Sequence, residues 1–180
     1  MVQVFYGKLL RWVWVLSPTN PLEGIILKGL RMNPKEMIKS QYCASLAMLR
    51  AAIEKCPDVM WEDDSYCNPF WRIAYHTIIY AHFYLSPKEA DFVPWEKHQE
   101  DMQLLGPAAP EREAYSKAEI LAYLDLCKQQ VQQQVDSLDL ENESGFHWLS
   151  FNKLELQFYN IRHIMQHTGE LCERLGAQGE

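Results

Sequence analysis

Two histidines, His163 and His167, stand four residues apart in Asn160-Ile161-Arg162-His163-Ile164-Met165-Gln166-His167-Thr168-Gly169-Glu170-Leu171, a stretch that reads as helix. On an α-helix that spacing advances about 400°, so the two rings lie one above the other on one face. Two neutral imidazoles so placed can both reach one divalent cation. Among six histidines such a pair arises easily by chance. Read alone, it is as readily two separate polar residues. Ile164 follows His163, so the HExxH pattern of zinc proteases is absent. Leu156, Asn160 and Glu170 share the histidine face, while Ile164, Leu171 and Leu175 lie roughly 60–120° away on a flank that would pack.

A third ligand has to come from a facing helix, and His76 and His82 are the choices. Six residues apart on one helix, they point about 120° from each other. His76 shares its side with Ile73, Ile79, Tyr80 and Phe83, which is the inward-looking side; His82 lies with Trp71 and Ile78. His76 is therefore the better third ligand. A buried histidine bonded to a tyrosine is the plainer reading of the same residue.

The elements that must position these side chains follow from caps and periodicity. Asn33-Pro34-Lys35-Glu36 starts a first helix that runs to about residue 55 and stops at Pro57. Residues 58–66 read as an acidic, aromatic connection. Asn68-Pro69 repeats the cap-then-proline device ahead of a second helix over 69–85, rich in rings, which stops at Ser86-Pro87. Residues 86–115 hold four prolines and are predicted to be a long irregular crossover, with a short helix over 96–104. Ser116-Lys117-Ala118-Glu119 is a capping box opening a third helix to about 137. Asn152-x-x-Glu155 opens a fourth, ending at Gly176. Four capped helices of roughly 17 to 22 residues predict an all-α, antiparallel four-helix bundle, a fold that builds metal sites from side chains on facing helices.

Residues 1–32 do not match this pattern. Leu9 to Leu16 is apolar but short and interrupted by Arg11, far below the roughly 20 residues of a membrane span. This segment is expected to be an N-terminal extension, with the bundle occupying 33–180.

Composition narrows the function classes. With 17 basic and 24 acidic residues the formal net charge is −7. That disfavours nucleic acid as a partner, since phosphate contacts need clustered Lys and Arg. No segment predicts a membrane span. Cys43, Cys56, Cys67, Cys127 and Cys172 are scattered, odd in number and free of CxxC. They are expected to be thiols of a reducing, cytoplasmic compartment.

Trp71-Arg72-Ile73-Ala74-Tyr75-His76 together with Tyr159-Asn160-Ile161-Arg162-His163-Ile164-Met165-Gln166-His167 and Gly169-Glu170-Leu171 resembles the DinB superfamily. The resemblance covers about residues 33–175. It implies a DinB-like four-helix bundle with the long crossover between helices 2 and 3. It also implies a metal held by His76, His163 and His167, with the first histidine on helix 2 and the pair on helix 4. Three nitrogen ligands leave positions open for water or substrate, and suit zinc, nickel, iron or cobalt. Asn160 and Glu170 flank the pair by one turn and are candidates to orient it, with Glu170 also the candidate general base; a solvated helix-end charge is the simpler reading of Glu170. Tyr80 is a candidate pocket wall, core packing being its plainer role. Trp95 and His98, or His147 and Trp148, could close over the site, although each also reads as an ordinary packing or surface residue.

By resemblance, the expected activity is that of a metal-dependent hydrolase or thiol transferase acting on a small molecule or low-molecular-weight thiol. The alternative is a non-catalytic metal-binding or stress-related bundle, and a homodimer suits either.

Overall fold

The computed structural model describes residues 33–107 and 109–179. The expectations for residues 1–32 lie outside the described residues. Pro34–Glu180 forms one compact unit. Among the described residues there are five α-helices and no β-strand: α1 (Pro34–Lys55), α2 (Asp58–Trp61), α3 (Phe70–Phe83), α4 (Lys117–Ser137) and α5 (Lys153–Ala177). The four long helices are the predicted ones, with ends that agree to within two residues.

Side-chain caps explain two of the helix starts. Ser116 and Glu119 form the predicted reciprocal box at α4, with Glu119 N donating to Ser116 Oγ at 3.3 Å and Ser116 N donating to Glu119 Oε2 at 2.9 Å. Asn152 Oδ1 accepts from Glu155 N at 2.9 Å at the start of α5. The device at α3 differs from expectation. Pro69 itself takes the cap position, with no side-chain cap bond. Asn68 turns outward to other elements: its Oδ1 accepts from Gly106 N and its carbonyl from Arg174 Nη1, each at 2.7 Å.

Two expectations about the connections need correction. Residues 58–66 contain a helical turn, α2, which buries Met60 and Trp61 and anchors Asp58 on Lys117 at 2.8 Å. The short helix over 96–104 does not form. Asp101 sits at φ 63°, a left-handed conformation that breaks a right-handed helix, and the segment is a series of turns. A 3-10 turn over Glu89–Asp91 is the only helical piece among the described residues of this crossover.

α1 packs against α4 and α5, and α3 packs against the same two. The ion pairs Lys39–Asp136 and Arg50–Asp125 run α1 and α4 antiparallel. Tyr42 reaches Gln157 at 2.9 Å, so α1 and α5 run parallel. Asn160 Nδ2 reaches the Ala81 carbonyl at 3.0 Å while Arg174 reaches Asn68, which runs α3 and α5 antiparallel. By the same pairings α3 and α4 run in one direction, which corrects the expectation of an antiparallel bundle: two of its four neighbouring helix pairs are parallel. Two parallel neighbours need a connection as long as the bundle, which is the physical reason for the 33 residues between Phe83 and Lys117.

The core is aromatic at the α3–α4 seam. Tyr75, Trp95, Tyr115 and Tyr123 lie ring to ring, with Trp95 stacked on Tyr123 at 4.7 Å. Trp95 is thus part of the core and does not close over a site.

Candidate metal centre

The antiparallel α3–α5 seam brings His76 opposite the pair His163 and His167. One ring nitrogen from each lies within 4.8 Å of the others. The ring centroids are 4.7 to 5.1 Å apart. His76 Nε2 and His163 Nε2 are 3.1 Å apart. Two nitrogens on one tetrahedral zinc, with bonds of 2.0–2.1 Å, lie roughly 3.3 Å apart.

The outward faces of the rings decide where their protons sit. His76 Nδ1 is 2.7 Å from the carbonyl oxygen of Gln103. A carbonyl only accepts, so Nδ1 carries the proton and Nε2 keeps a lone pair. His167 Nδ1 is 3.1 Å from Glu170 Oε2, and a carboxylate directs the proton in the same way. Two inward lone pairs therefore converge on one space, with a third imidazole closing it. Convergent lone pairs repel unless a proton or a cation lies between them. The 3.1 Å between His76 Nε2 and His163 Nε2 is a hydrogen-bond distance that an Nε2–H of His163 can bridge. The carbonyl–histidine and carboxylate–histidine pairs are the arrangement that orients metal-bound imidazoles. His163 lacks such a partner: its Nδ1 is buried with no hydrogen bond.

Burial keeps His76 and His163 uncharged. Loss of solvent pushes His76 down to about 4. His163 falls to about 3, through burial first and then through the neighbouring His76 and His167. Neutral imidazole is the form that binds a metal. His167 is the most enclosed, at 9 % exposure, whereas His76 and His163 are half-buried. The donor set fits a divalent transition metal: three imidazole nitrogens within reach of one ion, two of the rings oriented from outside.

Comparison with family models, with curated proteins and with solved structures finds no match. What can be said of the site therefore rests on its own geometry.

The other candidate residues fall into place around it. Tyr80 stands against the trio, its ring 4.8 Å from His76 and 5.6 Å from His163. Glu170 is held on both oxygens, by His167 and by Arg174 Nη2 at 2.9 Å. Asn160 is not an orienter of the pair. It is buried, and its amide donates to the Ala81 carbonyl, one of the last-turn acceptors of α3 that no helical donor satisfies. His82 turns to α4, with Nδ1 3.2 Å from Tyr123 hydroxyl. His98 bonds Tyr75 hydroxyl at 2.6 Å. The His147 side chain is 81 % exposed and meets Glu89, while Trp148 stacks on Phe83; neither joins the three histidines.

Two participants escape a reading of the sequence. Arg174 is only 8 % exposed and links Glu170 to the Asn68 carbonyl. Its spacing of four from Glu170 is a signal that could have found it. Gln103 contributes a backbone carbonyl from the crossover, for which side-chain identity gives no signal.

Proposed function

We propose that the chain holds one divalent transition metal on His76, His163 and His167 and acts on a small-molecule substrate at the positions they leave open. The reading is that of a DinB-like metal-dependent enzyme, a hydrolase or a thiol transferase. The observation that carries it is the convergence of three imidazoles, two of them with their outer nitrogens fixed by Gln103 and Glu170.

When bound, the metal supplies Lewis acidity and lowers the pKa of a bound water or thiol. The chain's own residues do the rest. Gln103 and Glu170 keep the Nδ1 protons of His76 and His167 in place, so both rings present lone pairs. Arg174 holds the second oxygen of Glu170. With both carboxylate oxygens engaged, Glu170 works as a positioning residue of His167 rather than as a free general base. Five free thiols support a reducing, cytoplasmic setting. Among the described residues no helix is long and apolar enough to cross a membrane. A homodimer completes the proposal.

Elemental analysis of the purified protein from metal-replete growth tests this reading. About one equivalent of zinc, nickel or iron is expected, lost in His163→Ala. Absence of stoichiometric metal from the wild type would overturn it. Activity screens with thiols and electrophilic substrates follow on the loaded protein. A second reading, metal binding without catalysis, draws on the Tyr80 ring packed against His76 and His163. Exchange of metal-bound water, measured by proton relaxation on a manganese- or cobalt-loaded sample, separates the two: fast exchange favours the enzyme.

A further inference from the structure

A cleft of about 230 Å³ is walled by Ile79, Tyr80, Phe83, Phe92, His98 and Gln103. It shares two walls with the metal centre. Tyr80 packs on His76 and His163. Gln103 bonds His76 Nδ1 through its carbonyl.

The chemistry of the lining is selective. It contains no Asp, Glu, Lys or Arg. Its one titratable imidazole, His98, is paired with Tyr75 and held below its usual range by burial. An ionised group entering the cleft would lose water and find no opposite charge. Three rings present faces and edges: Phe83 and Phe92 meet edge to face at 4.9 Å, and Tyr80 and Phe83 at 6.2 Å. Such walls favour another ring or a compact alkyl group. Size sets the upper limit, since an apolar cavity of roughly 150 Å³ already takes benzene.

We propose that this cleft receives an uncharged, ring-sized apolar group of the substrate, leaving the substrate's reacting atom at the metal centre. The proposal rests on the metal-centre reading for the position of the reacting atom, and on the cleft alone for the apolar group. A charged tail, such as the carboxylates of a low-molecular-weight thiol, is excluded from this cleft and has to lie elsewhere.

The experiment uses the full chain, metal-free and zinc-loaded, with four probes followed by saturation-transfer NMR. Toluene is expected to bind both forms. Benzoate and benzylamine are expected to bind at least about tenfold more weakly. Benzyl mercaptan is expected to gain at least about tenfold in affinity on zinc loading, because its thiol then reaches the metal. Phe92→Trp fills the cleft from the half-buried crossover side and is expected to abolish toluene binding with zinc content unchanged. Phe92→Ala, which cannot overfill the fold, is expected to weaken toluene several-fold. Charged probes binding as well as toluene, or toluene indifferent to both Phe92 variants, would overturn the proposal. Toluene binding without any zinc uptake would support the cleft and overturn its link to a metal. Zinc uptake without toluene binding would do the reverse.

Discussion

α3 carries two histidines six residues apart, and they meet opposite fates. His76 faces α5, where two more imidazoles and a backbone carbonyl surround it. His82 faces α4, where it meets the Tyr123 hydroxyl and the edge of Phe92. Burial pushes both down to about 4. Depth and pKa are therefore the same on the two sides, and neither identifies a site. The larger cleft even lies on the His82 side, about 480 Å³, with Asp91, Glu96 and Gln130 among its walls. What differs is the direction of lone pairs. On the α5 side they converge on one space; on the α4 side the imidazole is satisfied by a phenol. A perturbed histidine becomes a ligand candidate when its acceptor nitrogen faces other imidazoles rather than a hydroxyl.

The most severe test exchanges the two fates. His163→Ala or His76→Ala is expected to remove stoichiometric metal altogether, while His82→Ala keeps it, as read by elemental analysis. Equal losses in all three would show that the contrast between the two sides reflects folding alone. Next in size is the outer support of His167. Arg174→Met frees one oxygen of Glu170 and is expected to weaken metal affinity about ten- to a hundredfold in chelator competition, with circular dichroism unchanged.

A smaller effect concerns acid. Metal binding competes with protons on the ligands. With His76 and His163 already held at about 4 and about 3, at most one imidazole competes between pH 7 and 5.5. Affinity should then fall much less than the several hundredfold that three unshifted imidazoles would lose. Stability of the metal-free protein should behave alike on the two sides. A folded pKa below the unfolded 6.5 means that stability is present above that pH and is lost as pH falls toward about 4. His76→Gln and His82→Gln should each reduce that acid sensitivity of Tm, yet only His76→Gln should lose metal.

The least effect lies far from both. Ser116→Ala removes both hydrogen bonds of the Ser116 hydroxyl in the α4 capping box and should cost about 1 kcal/mol in denaturant melts without changing metal content.

Much of this was legible in residue order. Capping boxes and prolines mark helix ends because they act through contacts three residues away, so the ends of α4 and α5 follow from local sequence. The 3.6-residue period stacks His163 on His167 and turns His76 away from His82 by the same local geometry. The fate of Asn68 was not legible, since its partners Gly106 and Arg174 come from 38 and 106 positions away. Nor was the break at Asp101, where a left-handed backbone overrides a helical pattern.

By itself, then, the sequence determined the four long helices, the face on which each histidine lies and a formal net charge of −7. These depend on local propensity, periodicity and composition. Only the tertiary structure decided that α3 and α5 run antiparallel against each other, so that His76 meets the pair. It alone brought the Gln103 carbonyl from the crossover and the Arg174–Glu170 link to the outer faces of the rings, and placed a charge-free cleft beside them. Helix direction, a backbone carbonyl's position and a cavity are set by packing among segments far apart in the chain, and no local pattern encodes them.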